Sequence, residues 1–438
     1  MKLVNALRAD AKIRLAISGA GGKTTALFQL ARQLTPPVLV SASTHLSLAQ
    51  VLNSDYHVFW SGDRNIDFNH LTGVSLIMGE PISDDRVNGL SLQKLEQLRL
   101  FADQMGYPLL IEADGSRMRP LKAPADHEPP IPEWVNTSLV VAGLSGVGRP
   151  LSEKTVHRPE VFSDLSGVSI GKPITIDGIL KVLCDARGGL KNIPPQAKRV
   201  ALLNQADNHE LRSLAQEIVP GLQQFYHAVL ISSLGTSGEV FSVHEKTAAI
   251  ILAAGASTRL GRPKALLEWQ GKPLIQIIAS VAIRAGLSPV IVVIGAVREP
   301  ILEALKGLSV EFVINENWEL GQSSSIKAGL AALPPYTGSA VFLLADQPRI
   351  TIDLLLTLVR THATTLDPIM APFVGGRRSN PVLFDAITFC DLERLEGDIG
   401  GRAIFEKYPV TPIYWNDPRL LLDIDTEEDY KKLTEDAV

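Results

Sequence analysis

Short apolar runs rich in β-branched residues recur along the chain, at residues 13–17, 38–40, 109–111, 139–141, 200–203, 249–252, 290–294, 312–314 and 341–344. Their composition and the Gly and Pro beside them predict strands buried on both faces. Residues 90–105, 274–285, 324–333 and 352–362 carry helical periodicity between them. This alternation predicts an α/β fold of two doubly wound, mostly parallel, three-layer domains. One glycine-rich loop follows the first strand at Gly19, and a second follows the strand at 249–252, so each half opens a sheet of its own. Residues 232–246 (SSLGTSGEVFSVHEK) are small and polar. The boundary is placed there, giving domains 1–242 and 243–438.

Composition narrows the class. The chain has 438 residues, 45% hydrophobic and 20% charged, which excludes a disordered, collagen-like or coiled-coil chain. A formal net charge of -5 offers no basic field for nucleic acid. The two cysteines, Cys184 and Cys390, stand far apart with no CxxC, so neither a disulfide framework nor a zinc ribbon is expected. The N-terminal stretch has scattered charges and no secretory pattern. The longest apolar runs are strand-length and too short to span a bilayer. A cytoplasmic protein with small-molecule substrates, and no nucleic-acid or membrane partner, is expected.

The richest chemistry lies in ILAAGASTRLGRPK (251–264). A buried strand runs into Gly255, Ser257 and Gly261, whose backbone can approach a phosphate closely. Arg259 and Lys264 supply charge to neutralise a triphosphate. Asp346 ends another buried strand in AVFLLADQP, where open α/β sheets bind ligands and a carboxylate can hold Mg²⁺. Ser324 and Ser325, in GQSSSIKAG, open a helix; they suit a base or sugar, although an N-cap is the better reading of any one serine taken alone. Asp423 is the candidate second metal carboxylate and Asp425 the alternative, with Asp425 or Thr426 also able to cap the last helix. Trp269, Trp318 and Trp415 are read as packing residues.

Taken together, LAAGASTRLGRPKALLEWQGKPL (252–274), GQSSSIKAGL (321–330), LLADQP (343–348), APFVGGRRSNPVLF (371–384), GDIGGR (397–402) and DIDTEEDY (423–430) resemble the molybdenum cofactor nucleotidyltransferases of the MobA/MocA type, with their nucleotide-diphospho-sugar-transferase-like fold. The resemblance implies Mg²⁺-dependent transfer of a nucleoside monophosphate to molybdopterin, with release of pyrophosphate. Leu252, Ala253, Ala254 and Gly255 match the LAAG form, which implies CTP and a cytosine dinucleotide product. Arg378, Asn380, Asp398 and Arg402 fall in segments implied to face the acceptor. Leu260 stands where the family commonly has Met, and Ala345 where Gly is commoner. The alternatives are a sugar- or alditol-phosphate nucleotidyltransferase of the same fold, or a delivery chaperone without turnover.

In the N-terminal half, Gly19, Gly21, Gly22, Lys23, Thr24 and Thr25 form a strand–Gly–Lys–Thr–helix arrangement, a compact variant of a phosphate loop with Lys23 reaching β/γ-phosphates and Thr24 holding Mg²⁺. Glu112 and Asp114 end a buried strand, where a metal-directed or water-ordering carboxylate would sit. Asn204 and Asp207 lie in LLNQAD, a weak match to a guanine-reading segment with Gln205 in place of Lys. His127, Glu128, His157 and Arg158 are further candidates for metal or catalytic use. GAGGKTT (19–25), IEADGSRMRPLKAPADHEPPIP (111–132), GLSGVGRP (143–150), VHRPE (156–160) and LLNQAD (202–207) resemble the YqeC-like accessory family, associated with selenium-dependent hydroxylases. That resemblance implies a P-loop-type NTPase, using ATP or GTP, that acts beside a molybdenum hydroxylase apoenzyme.

Overall fold

Burial follows the apolar runs. In a computed structural model, which describes residues 1–60, 70–83, 85–255 and 260–435, the strands Val38–Ala42, Val74–Met78, Leu109–Glu112, Thr137–Gly143 and Ala228–Ser233 are buried at every position. The chain divides into the units Met1–His244 and Glu245–Val438.

The first unit is built on a sheet in the order Glu239–Glu245, Ala228–Ser233, Lys198–Asn204, Thr137–Gly143, Arg14–Gly19, Leu109–Glu112, Val38–Ala42, Val74–Met78, Tyr56–Phe59. From Ala228–Ser233 to Tyr56–Phe59 every pairing is parallel. The register sets Ile17 beside Glu112, Gly19 beside Val141 and Gly143 beside Asn204. The glycine loop therefore emerges among the C-terminal ends of its neighbours. Helix Leu92–Met105 packs Leu95 and Leu98 with Leu39, Ile77 and Ile111. It begins two residues later than the periodicity suggests because Ser91 caps it, accepting from the Lys94 amide at 3.3 Å. A separate core gathers Phe162, Ile179 and Leu222 against Val140 and Leu203. The polar segment 232–246 is not loop throughout, since Glu239–Glu245 forms the edge strand.

The second unit orders its sheet as Glu311–Ile314, Val290–Ile294, Thr247–Ala253, Ser339–Leu344, Val382–Asp385, Ile369–Val374, Arg377–Arg378, with Val410–Tyr414 also on Ile369–Val374. The first four strands are parallel, and Val382–Asp385 runs antiparallel to both neighbours. Strand Thr247–Ala253 sends Ala249 and Ile251 into one core and Ala248 and Ile250 into another. Helices Leu274–Arg284 and Ile352–Thr365 cover the first face and Gln322–Ala331 the second, which makes three layers. Leu274–Arg284 buries Leu274, Ile275, Ile278, Ala279 and Ala282 on one stripe. Each buried Leu or Ile there contributes about 1.5–3 kcal/mol, and Gly286 at φ +76° turns the chain out of the helix.

Candidate functional site

In the second unit a cleft of about 570 Å³ opens at the C-terminal ends of Thr247–Ala253 and Ser339–Leu344. Leu252, Ala253, Ala254, Gly255, Lys264 and Asp346 all line it. Ser257 and Arg259 lie outside the described residues. Gly261 follows them with φ +69° but is not among the lining residues. Lys264 starts a short turn, and its ammonium donates to Asp425 at 2.5 Å and lies 3.4 Å from Asp346. Burial works against the charge on Lys264, but the Asp425 hydrogen bond and the Asp346 charge outweigh it and raise its pKa. Burial lifts the Asp346 carboxyl above its ordinary value; Lys264 opposes this and Asp423 adds to it.

The Ile424 amide donates to the Asp346 carbonyl at 3.2 Å, which ties residues 423–425 to the end of that strand. Thr426 caps the last helix in a reciprocal box with Asp429, so neither Asp423 nor Asp425 lends its carboxylate to that cap. Asp423 accepts instead from the Gln347 amide. Among the described residues no three His, Cys, Asp or Glu side chains gather to hold a metal. Asp346 with Asp423 or Asp425 offers hard oxygens, which fit a Mg²⁺-type ion that keeps waters and substrate phosphates as its remaining ligands.

Sequence reasoning missed Asn315. Buried on the neighbouring edge, its amide donates to Ser324 and Ser325 at 2.8 and 3.0 Å. Ser324 also donates to the Gly321 carbonyl at 2.8 Å. Both hydroxyls are thus engaged, and of the two only Ser325 lines the cleft. Trp318, read as packing, lines it as well. Asp398 lines the cleft and accepts from the Gln322 amide at 3.1 Å, capping Gln322–Ala331 from a distant loop. Asn380 and Arg402 line an adjoining hollow of about 190 Å³, which shares Leu252, Gln322 and Leu344 with the cleft. The Arg378 guanidinium sits 4.6 Å over the ring of Phe405, another residue of that hollow.

In the first unit Gly19, Gly21 and Gly22 have φ of +94°, +86° and +120°. A Cβ on Gly19 would lie 2.2 Å from the Val141 carbonyl oxygen, so no other residue fits. Lys23 opens helix Lys23–Gln33, yet its ammonium turns back to the Gly19 carbonyl at 2.9 Å, with Asp114 at 3.3 Å and Glu112 at 3.8 Å. Thr24 donates to Glu112 at 3.1 Å, the Gly19 amide donates to Asp114 at 3.1 Å, and Thr25 is exposed. Burial pushes the Glu112 carboxyl up, against the pull of Lys23. Lys122 bridges Asp114 and Glu128, each at 2.8 Å, and Arg158 pairs with Glu128 at 2.8 Å. Charges of alternating sign therefore run from Glu112 to Arg158. Glu128, a candidate ligand or catalyst in the sequence, is committed to these pairs, and sequence reasoning assigned Lys122 no role.

Two sequence candidates of this site, Asn204 and Asp207, are engaged within the protein. Asn204 is buried behind the glycine loop, donates to the Gly21 carbonyl at 2.8 Å, and accepts from the Ser232 hydroxyl and the Leu234 amide at 3.0 Å. With its amide spent on the protein it braces the loop. Asp207 accepts from the Ser233 hydroxyl, and the following residue, Asn208, caps the next helix, accepting from the Leu211 amide at 2.9 Å.

The ion chain predicts acid sensitivity. Burial, then Arg158, Lys122 and Arg117, lower His157 from 6.5 to about 4. Burial raises Glu128, but hydrogen bonds from Arg158 and Lys122 outweigh it and bring the carboxyl from 4.5 down to about 2. The unfolded chain therefore gains protons first at His157 as pH falls from 6.5 toward 4. The stabilisation from Glu128, whole above pH 4.5, is lost as pH falls toward 2. His157→Gln is expected to flatten the pH dependence of urea unfolding between 6.5 and 4 in part, because His244 is also lowered to about 4. An unchanged slope would show that His157 is not held neutral.

Residues 249–411 match the family model of the MobA-like NTP transferase domain, and residues 15–160 match that of the YqeC protein. The chain is 31% identical over 224 residues to the uncharacterized protein YqeC of Escherichia coli strain K12, covering 48% of this chain and 82% of that one. It is 30% identical over 195 residues to nicotine blue oxidoreductase of Paenarthrobacter nicotinovorans, covering 42% of this chain and 94% of that one. Among solved structures, Rv0371c of Mycobacterium tuberculosis H37Rv is 27% identical, covers 43% of this chain and 98% of its own, and superposes with a TM-score of 0.40. The manganese complex of the same protein gives 27% identity, 44% and 100% coverage and a TM-score of 0.38.

Proposed function

The chain belongs to the MobA-like NTP transferase family through its C-terminal half and to the YqeC family through its N-terminal half, and from that premise we propose that it transfers CMP from CTP to molybdopterin, releasing pyrophosphate. The C-terminal half is a nucleotidyltransferase. The observation that carries the finer reading is the meeting of Lys264 with Asp346 and Asp425 at the mouth of the LAAG loop.

The acceptor is a phosphate monoester and needs no strong base. The barrier is repulsion between anions and charge growing on the leaving pyrophosphate, so positioning and electrostatics do most of the catalysis. Lys264, kept cationic by its aspartates, lies ready for triphosphate oxygens. Leu252–Gly255 offers backbone along one wall of the cleft. Asp346, with Asp423 or Asp425, would hold a magnesium ion that neutralises the triphosphate. Arg259 and Ser257 complete the phosphate loop in this reading, and Ser325 faces the nucleotide. Arg378, Asn380, Asp398 and Arg402 face the acceptor. CTP follows from Ala254 in the LAAG form.

The N-terminal unit is read as a phosphate-binding partner for ATP or GTP, with Gly19 to Thr25 and Asp114 at its site. A molybdenum hydroxylase apoenzyme is the proposed consumer of the product. The test is pyrophosphate release by the purified chain with Mg²⁺, molybdopterin and CTP, GTP or ATP in turn. Release with CTP alone is expected. Release with GTP would overturn the base assignment. Silence with all three, while CTP binds, would favour a sugar- or alditol-phosphate acceptor or a delivery role without turnover.

A further inference from the structure

In the first unit, four buried side-chain oxygens without a hydrogen-bond partner lie around the glycine loop and Glu112. They are Ser43 Oγ, Thr44 Oγ1, Gln50 Oε1 and Asp114 Oδ1. Asp114 is 2% exposed, and its Oδ1 meets the Lys23 ammonium at 3.3 Å. The other three belong to the segment after strand Val38–Ala42, which has no role in the reading above. Burying a polar oxygen unpaired costs about 1–3 kcal/mol. Several such oxygens in one place mark a spot built to receive groups from outside the chain.

That segment is held firmly. The Ser43 amide donates to the Glu112 carbonyl at 3.0 Å, and the Leu90 amide donates to the Ala42 carbonyl at 2.8 Å. A Cβ on Gly89 would lie 2.5 Å from the Thr44 carbonyl oxygen, so only glycine lets the chain at residue 89 lie against Thr44. Gln50 links the segment to the glycine loop. Its Nε2 donates to the Thr24 hydroxyl at 3.1 Å, and that hydroxyl donates to Glu112 at 3.1 Å. An ionised carboxylate only accepts, so the donors run in a fixed order from Gln50 through Thr24 to Glu112. Gln50 Oε1 is thereby left as an acceptor beside the first turn of helix Lys23–Gln33.

These groups match the outer end of a nucleoside triphosphate. The glycine loop and the helix N-terminus suit the inner phosphates. The Ser43 and Thr44 hydroxyls can donate to the oxygens of the third. A carboxamide oxygen accepts a proton from water without removing it, so it orients the molecule. Phosphoryl transfer asks for little more than such positioning.

We propose that Ser43, Thr44 and Gln50 form the third-phosphate end of the N-terminal nucleotide site, and that this unit hydrolyses a nucleoside triphosphate with Gln50 positioning the attacking water. The proposal rests on the phosphate-loop reading above. The water oxygen bonds to the γ-phosphorus as the bond from that phosphorus to the β–γ bridging oxygen breaks. The diphosphate leaves with the electron pair, and the water's protons go to inorganic phosphate and to solvent.

The full chain is given Mg²⁺ with ATP or GTP and assayed for inorganic phosphate, which nucleotidyl transfer does not release. Binding is measured separately with a fluorescent non-hydrolysable triphosphate analogue and with the matching diphosphate. Wild-type protein is expected to bind both and to release phosphate. Gln50→Leu should lower kcat by about thirtyfold or more, with KM and analogue affinity within about twofold. Thr44→Val keeps the shape of the side chain. It should weaken the triphosphate analogue by about tenfold and the diphosphate by less than about twofold. Without nucleotide it should unfold at slightly higher urea, because an unpaired hydroxyl has been removed.

Failure of the wild-type chain to bind either nucleotide would overturn the phosphate-loop reading and this proposal with it. Binding without phosphate release, or release that Gln50→Leu leaves unchanged, would overturn this proposal alone. Equal losses of kcat and analogue affinity in Gln50→Leu would do the same, by making Gln50 a brace for Thr24. Equal weakening of triphosphate and diphosphate by Thr44→Val would take the segment away from the third phosphate.

Discussion

Asp346→Asn is expected to cut CTP-dependent pyrophosphate release by at least about a thousandfold while CTP still binds. The side chain keeps its shape and loses only its charge. Lys264 keeps its 2.5 Å bond to Asp425, so the cation stays in the cleft. The fold has little to lose, because burial already works against the Asp346 carboxylate and raises its pKa. What goes is the partly buried anion that would hold a divalent ion against the triphosphate. Asp423→Asn separates this role from general electrostatics. If Asp423 shares the ion, the variant should need several-fold more Mg²⁺ for half-maximal rate and approach wild-type release when Mg²⁺ is saturating. The checks are a coupled pyrophosphate assay over a Mg²⁺ series and circular dichroism for the fold. Release by Asp346→Asn within about tenfold of wild type would remove this carboxylate from the mechanism.

Much of this site is legible in the sequence, because open α/β sheets put function at strand C-terminal ends. The apolar run that ends in Ala345-Asp346 marks its own position, as does the run that ends in Glu112. Strand direction is another matter. Val382–Asp385 is as apolar as the parallel strands of its sheet yet runs antiparallel to both neighbours, and composition carries no sign of that. The choice between Asp423 and Asp425 was open for a similar reason, since Lys264 and Asp425 are 161 residues apart. The Ile424–Asp346 backbone bond, with the Gln347–Asp423 side-chain bond, brings that segment home. Ser324 and Ser325 could be ligands or caps by sequence alone; the partner that holds both, Asn315, comes from another edge of the sheet. The bond from Asn204 to the glycine loop is likewise hidden in the sequence. A Cβ on Gly22 would lie 2.3 Å from the Asn204 amide nitrogen, so the two are fitted to each other, and that fit is written in neither segment.

Lys122→Met should unfold the N-terminal unit more easily by about 3 kcal/mol, a large fraction of a domain's stability. Lys122 is 2% exposed and joins Asp114, also 2% exposed, to Glu128 at 10%. Breaking a buried pair from one side typically costs about 3–5 kcal/mol, since the other charge stays behind without solvent. The lower figure is expected because neither carboxylate is stranded. Asp114 keeps the Gly19 amide at 3.1 Å and Lys23 at 3.3 Å, and Glu128 keeps Arg158 at 2.8 Å. Lys122 also donates to the Gly115 carbonyl at 2.7 Å, a bond that Met cannot replace. Adding Glu128→Met should recover none of the loss, because Glu128 is still paired with Arg158 in the single variant and the second substitution removes that pair as well. Urea unfolding of the full chain measures both variants, and pyrophosphate release reports on the C-terminal half, which should be unaffected. A loss below about 1 kcal/mol in Lys122→Met would mean that water reaches the ion chain. The run from Glu112 to Arg158 would then be a solvated surface network rather than the buried frame of the glycine loop.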